Sequence, residues 1–302
     1  MNTSSLLTAF CEERGIALTA NVSMKEYTTF RVGGPADFLA LPKTKKELIL
    51  LVRFCLNHDF PYTVLGKGSN VVVSDNGIEG LVIVTSAMEG ITMSGPGEIT
   101  CLAGTPLIRL CRFALDNSLT GLEFAYGIPG SAGGAAFMNA GAYGGEMKDV
   151  LVKCTHLDAM GNEEAFYGEE LKLGYRHSVY AEGDYVITSL TLQLKPGDPA
   201  EIKAKMDDLL GRRKEKQPLD MPSAGSTFKR PEGYFAGALI EECGLKGFTV
   251  GGAQVSEKHA GFVVNKGDAT AADIQNLVSE VQTRVSEKTG VSLEPEIRMI
   301  GR

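Results

Sequence analysis

No apolar run in this chain approaches bilayer-spanning length; Leu48–Val52 and Leu81–Val84 are only long enough for buried core elements. The first residues lack the basic start and long apolar stretch of a secretory signal, and Glu12-Glu13-Arg14 interrupts them early. Basic charge is not in excess. A net charge of -7 argues against a nucleic-acid coat or an anionic membrane surface as the main partner. None of the six cysteines (11, 55, 101, 111, 154 and 243) stands in a C-x-x-C pair, and most fall on apolar faces. That is the pattern of reduced core thiols in a cytoplasmic protein. No serine lies in G-x-S-x-G, and the four histidines (58, 156, 177 and 259) show neither H-x-x-x-H nor H-E-x-x-H spacing. Triad acyl transfer and metal hydrolysis therefore find no support, and no metal is expected. Low-complexity tracts and internal repeats are absent too, so 302 residues suggest an ordinary folded protein of about two domains.

What the chain does have is glycine, concentrated in two turns: Gly66-Lys67-Gly68-Ser69-Asn70 and Gly127-Ile128-Pro129-Gly130-Ser131-Ala132-Gly133-Gly134. Each offers a run of backbone N–H groups with little side chain in the way, which suits a diphosphate. The first is not a Rossmann fingerprint, because Val71 stands where the third glycine belongs and a strand follows. Nor is it a Walker loop, which ends in Lys-Ser/Thr before a helix. In the second, Pro129 sets the approach and Gly130–Ala136 predicts a short helix whose N-terminal amides face an anion. Two such turns far apart in sequence point to a dinucleotide held from two sides. A hairpin bend and a tight helix–strand contact are the purely structural readings of the same residues.

Periodicity and punctuation outline the rest. Thr44 and Glu47 open a helix to Asn57 with Leu48, Leu51, Val52 and Cys55 inward. Strands are expected at Tyr62–Leu65, Asn70–Val73 and Leu81–Thr85, with a turn at Asp75-Asn76-Gly77. Thr105-Pro106 starts another helix, and glycine density from Gly121 to Gly145 excludes long regular elements. Strands follow over Asp149–Asp158 and Tyr185–Leu194. Lys195-Pro196-Gly197-Asp198-Pro199 reads as a domain boundary, followed by an Asp198-capped helix with Ile202, Met206, Leu209 and Leu210 buried. Helices near Tyr234–Cys243 and Thr270–Lys288, the last stopped by Gly290, complete a smaller unit.

Several segments together resemble the UDP-N-acetylenolpyruvoylglucosamine reductase (MurB) family. They are Tyr27–Ala36, the Gly66–Asn70 turn, Gly127–Gly134 with Met138-Asn139-Ala140-Gly141-Ala142-Tyr143-Gly144, Tyr175-Arg176-His177-Ser178, Pro222–Lys229 and Glu294-Pro295-Glu296-Ile297-Arg298. The match runs through nearly the whole chain in family order. It implies an α+β protein with a two-part FAD-binding domain of the vanillyl-alcohol oxidase (PCMH) type at 1–197, divided near 85, and a smaller substrate domain at 198–302. It further implies non-covalent FAD, NADPH as hydride donor, and reduction of UDP-N-acetyl-enolpyruvoylglucosamine to UDP-N-acetylmuramate for peptidoglycan and cell-wall biogenesis. Cofactor contacts are implied at Gly66, Lys67, Gly68, Ser69, Asn70, Gly130, Ser131, Gly133, Gly134, Asn139 and Gly141. A flavin oxidase on the same scaffold, or a non-catalytic nucleotide sensor, are the rival readings.

The resemblance also assigns chemistry. Adding hydride to C3 of an enolpyruvyl group pushes charge onto the adjacent carboxylate, and C2 then needs a proton. Arg176 suits the charge because guanidinium stays ionised and grips a carboxylate bidentately. Glu296 is implied at the developing oxyanion and Ser226 as the proton donor. Lys216 and Arg298 are implied near the substrate, although a solvated helix end describes Lys216 equally well. Two departures stand out. Ser178–Tyr185 is too short for the substrate-covering tyrosine loop of one branch, so the chain resembles the second type, and Arg230 replaces that branch's asparagine.

Overall fold

A computed structural model describes residues 2–302. They divide into two compact units, each built from separated stretches of chain. The first comprises residues 2–20, Phe38–Lys67 and Gly80–Arg212; the second comprises Asn21–Asp37, Gly68–Glu79 and Arg213–Arg302. Neither unit follows the contiguous division expected at 197/198. The proline-rich boundary candidate is itself structured, because Lys195–Pro196 pairs antiparallel with Leu119–Thr120. The change of unit falls 15 residues later, inside a helix, between Arg212 and Arg213.

The first unit rests on an antiparallel sheet in the order Glu163–Tyr167, Leu151–Leu157, Val186–Gln193, Glu98–Leu102, Ile91–Gly95. Val186–Gln193 is central; its first three residues are buried and the rest alternate between buried and more open positions. A second sheet runs in the order Leu18–Ser23, Pro35–Ala40, Ile78–Val84, Tyr62–Leu65. Within it Tyr62–Leu65 pairs parallel with Leu81–Val84. The helices are α1 (Thr3–Arg14), α2 (Lys45–Asn57), α3 (Leu107–Asp116) and α4 (Ala132–Phe137). Thr44 Oγ1 caps α2 by accepting the Glu47 N–H at 3.2 Å, while the Glu47 carboxylate takes the Lys43 N–H instead of completing a capping box. Pro106 is the residue before α3, one position earlier than the sequence suggests. Five cysteines are buried here and unpaired, and burial pushes the thiols of Cys55, Cys101, Cys111 and Cys154 up to about 12, so they are inert core groups.

The second unit has its own core, in which Phe30, Val32 and Val72 join Phe228, Leu239, Ile240, Val263, Ile274, Leu277 and Val281. Val71–Val73 pairs parallel with Arg298–Ile300, and Thr249–Val250, Ala253–Val255 and Val263–Asn265 form a small antiparallel sheet. Helix α5 (Pro199–Lys216), which belongs to the first unit as far as Arg212, starts on Asp198, whose Oδ1 accepts the N–H groups of Ala200 and Glu201. Helix α6 (Ala236–Glu242) packs against helix α7 (Ala271–Thr289), which packs on the small sheet. Helix α7 carries a Thr270/Asp273 capping box and ends on Gly290 at φ +72°. Asp75 caps it a second time, its two carboxylate oxygens accepting the N–H groups of Ala271 at 2.8 Å and Ala272 at 3.0 Å. No helix among the described residues is long and apolar enough to cross a membrane.

Candidate active site

In the first unit the two glycine turns meet. A Cβ on Gly66 would stand 2.2 Å from Ser131 Oγ, so glycine lets the Ser131 side chain sit against this turn. The amides of Gly66, Lys67, Gly130 and Ser131 have no acceptor among the described residues. Unused amides on two abutting turns, with a cradle that one methyl would fill, fit the diphosphate of a dinucleotide. The anion-facing role expected for the start of α4 is not what the structure shows. Ala132 and Gly133 donate to the carbonyls of Thr105 and Ala103, each at 2.8 Å, and Gly134 donates to Ser131 Oγ at 3.3 Å. Those amides are spent on tethering α4. Gly133 is required for packing, since its Cβ would lie 2.9 Å from that of Ala103.

The Asn139 side chain is committed to the protein itself. It is fully buried at φ +41°, with its Nδ2 donating to Gly174 O at 2.8 Å and to Glu146 Oε2 at 2.6 Å. Its Oδ1 accepts the Lys148 N–H at 2.8 Å, so every polar atom of the amide is engaged inside the protein. The beneficiary is the turn between Gly174 and His177, which carries Arg176. Arg176 sits at φ +54°, a backbone that costs roughly 1 kcal/mol or more for a residue with a Cβ. Its guanidinium donates to Gly141 O at 3.2 Å and lies 5.1 Å from the Tyr175 ring centroid. The buried Asn139 amide helps to hold that turn in its left-handed conformation. Gly141 itself serves the hairpin below, where a Cβ would come within 2.8 Å of Glu146 Cβ.

After that turn the chain makes a short 3-10 segment, Val179–Ala181, rather than a long loop. Tyr180 is buried, and with Tyr185 and Phe166 it boxes in His156. Neither tyrosine is placed as a substrate lid. Tyr180 Oη lies 3.2 Å from His156 Nδ1, and burial lowers the histidine's pKa, so the ring is neutral.

The second unit assembles the other predicted residues. Ser226 follows Gly225, which has φ +77° and open space where a Cβ would be. The Ser226 hydroxyl is half-buried and makes no hydrogen bond among the described residues. The next residue, Thr227, is fully buried, and its carbonyl accepts the Glu296 N–H at 2.8 Å. Lys229 N–H to Glu294 O extends this pairing, so Ser226 and Glu296 lie on adjacent extended segments. Asn70 closes the group: its Nδ2 donates to Glu296 O at 3.1 Å and its carbonyl accepts the Arg298 N–H at 3.0 Å. Gly68, at φ +58°, packs against the Tyr27 carbonyl and accepts the Thr29 N–H, while Thr29 Oγ1 donates to Ser223 O at 2.6 Å. Gly68, Ser69 and Asn70, Ser226, Glu296 and Arg298 thus form one neighbourhood from distant stretches of sequence. Lys216, the exposed last residue of α5, has no hydrogen bond or ion pair tying it to this group among the described residues.

His259, unassigned from sequence, stands behind the serine segment. Burial lowers its pKa, and its Nδ1 accepts the Gly261 N–H at 3.1 Å. No cluster of metal-ligating side chains occurs among the described residues. The residues that sequence reasoning passed over, Thr227 and the scaffold role of Asn139, sit beside or within the motifs. A buried β-branched hydroxyl next to the candidate donor was the available signal for the first.

Comparison with known proteins bears on this arrangement. A domain described as "UDP-N-acetylenolpyruvoylglucosamine reductase, C-terminal domain" matches residues 217–300, and an "FAD binding domain" matches 36–165. A UDP-N-acetylenolpyruvoylglucosamine reductase of Clostridium perfringens (strain SM101) is 49% identical over 297 residues, covering 98% of this chain and 97% of its own. The crystal structure of the Thermus caldophilus reductase superposes with a TM-score of 0.80 at 38% identity, over 94% of this chain and 98% of its own. A berberine bridge enzyme variant, at 15% identity and TM-score 0.50, covers 64% of this chain and 44% of its own and shares the fold alone.

Proposed function

The chain belongs to the UDP-N-acetylenolpyruvoylglucosamine reductase family, and from that premise we propose that Arg176, Glu296 and Ser226 carry out the reduction of the enolpyruvyl ether of a UDP-sugar. The protein is an FAD-dependent oxidoreductase of peptidoglycan precursor synthesis, with NADPH as hydride donor. FAD, when bound, would supply the hydride-transfer chemistry that links NADPH to the enolpyruvyl double bond. Gly66, Lys67, Gly130 and Ser131 would hold its diphosphate through their unused amides. Residues 1–197 serve the cofactor and 198–302 the UDP-sugar in this reading, and six free cysteines suit a cytoplasmic setting.

The chain's own residues handle charge and proton. As hydride reaches C3, the C2–carboxylate unit takes on enediolate character, and Arg176 answers that charge with a guanidinium already fixed in direction. Glu296 hydrogen-bonds the developing oxyanion. Ser226 then gives its hydroxyl proton to C2, which completes the lactyl ether, and is reprotonated from water. One observation supports these roles above all: an unengaged serine hydroxyl whose neighbouring carbonyl is bonded to the Glu296 amide.

An anaerobic two-step experiment tests them. NADPH should bleach the yellow holoenzyme, and enolpyruvyl-UDP-N-acetylglucosamine should restore the colour without oxygen. Ser226→Ala should leave bleaching intact and slow recolouring at least ~10²-fold, the low end for a positioned general acid. Recolouring at the native rate in that variant would remove the serine from the mechanism. Failure of the substrate to recolour native enzyme would remove the function.

A further inference from the structure

Thr227 touches neither open space nor the predicted chemistry, yet it ties three neighbouring segments together. It is fully buried. Its N–H donates to Gly261 O at 2.8 Å, its Oγ1 accepts the Val263 N–H at 2.9 Å, and its carbonyl accepts the Glu296 N–H at 2.8 Å. These three bonds fix the peptide planes on both sides of one residue. The first plane is the one Ser226 shares; the second is the one against which Glu296 is registered.

We infer that Thr227 is a positioning residue, holding the Ser226 hydroxyl in register with Glu296 by stitching their segment to Gly261 and Val263. This rests on the reading of Ser226 as proton donor. The threonine hydroxyl is what makes the stitch. Val263 begins the strand Val263–Asn265, and its amide points away from the ladder toward the serine segment. Without Thr227 Oγ1 that buried N–H has no acceptor in the observed arrangement, and the segment must shift or admit water to satisfy it. A β-branched side chain with restricted rotamers holds the oxygen in place with little entropy to lose. Gly261 is fixed in turn, because its own N–H is held by the neutral His259 ring. The serine hydroxyl has no partner of its own among the described residues, so its aim depends on backbone that Thr227 immobilises.

The test uses full-length FAD-loaded enzyme, with NADPH bleaching and substrate recolouring followed separately under anaerobic conditions. Thr227→Val should slow recolouring roughly 10–100-fold, the scale of a misplacement near 1 Å, while bleaching stays within about twofold. Thr227→Ser, which keeps the acceptor, should recover recolouring to within about threefold. In a Ser226→Ala background Thr227→Val should add much less than its effect alone, because the hydroxyl it aims is gone. If Thr227→Val does not fold, Thr227→Cys, a weaker acceptor of similar volume, takes its place in the same comparison. Native recolouring in the valine variant, equal slowing of both steps, no rescue by serine, or fully multiplicative losses in the double variant would each overturn the inference. The two readings fail separately. Native recolouring in Ser226→Ala sinks the donor assignment, whereas a slow Ser226→Ala beside a native Thr227→Val sinks only the role of Thr227.

Discussion

Single atoms decide much of this site. Gly66→Ala would drive a methyl into Ser131 Oγ, separating the turns whose amides are the cofactor cradle. The expected result is protein that folds but keeps little FAD through gel filtration, measured as the flavin-to-protein absorbance ratio; full occupancy would contradict the placement. The sequence made these turns conspicuous as glycine clusters. It could not reveal that the carbonyls of Ala103 and Thr105 already claim the first amides of α4, because those carbonyls come from a strand end and loop some 30 residues away. Asn139 was illegible for a similar reason: a buried amide and a ligand-facing one are spelled alike. His156 carries a pH signature. Boxed by Phe166, Tyr180 and Tyr185 it stays neutral in the fold, while the unfolded chain protonates near 6.5. Below that pH the unfolded chain therefore binds a proton that the folded chain resists, and stability falls as pH falls; above it this contribution is constant. Melting temperatures of the native chain and His156→Phe should diverge in slope between about pH 7 and 5, with the phenylalanine variant losing less. Parallel slopes would refute the assignment.

Among elements, those with clear caps were the readable ones. Helices α2, α5 and α7 appear where Thr44, Asp198 and Thr270 announce them, and Gly290 stops the last in the left-handed conformation expected. The short strands Ala253–Val255 and Val263–Asn265 hold too few residues to display a period, and Leu18–Ser23 is mostly exposed. The Asp75-Asn76-Gly77 turn was legible as a turn but not as a cap, since its helix begins 196 residues further on. Losing it should matter. Asp75→Ala removes two charge-assisted bonds from the start of α7 and should cost about 1–2 kcal/mol, the upper range for a helix cap. Calorimetry should then register a fall of roughly 1.5–3 °C in a chain of this size, and Asp75→Asn should recover part of it. An unchanged melting temperature in the alanine variant would show that the Thr270/Asp273 box suffices.

For the whole molecule, the family resemblance carried the fold class and the enzyme family, while the interleaving of the two compact units was not legible in it. Two prolines and a glycine read as a linker at Lys195–Pro199, yet Lys195–Pro196 pairs with Leu119–Thr120, a contact that local composition cannot announce. A fragment limited to residues 213–302 should fail to give the dispersed amide spectrum of a folded domain. It lacks Phe30, Val32 and Val72 of its core and the Val71–Val73 partner of its last strand. A well-dispersed spectrum from that fragment would show that the remaining core suffices. The same interleaving has a consequence in time. On the ribosome, everything the first unit needs has been made once Arg212 emerges, whereas the second unit still awaits α7. At roughly 5–20 residues per second, Phe30, Val32 and Val72 must wait on the order of 10–50 s for Val281 and Val285 to be synthesised. During that interval the nascent chain displays unsatisfied apolar side chains on Asn21–Asp37 and Gly68–Glu79, two segments strung between stretches that are already able to fold. A chaperone that binds short hydrophobic segments should therefore engage this polypeptide there, and let go only when the C-terminal helix arrives.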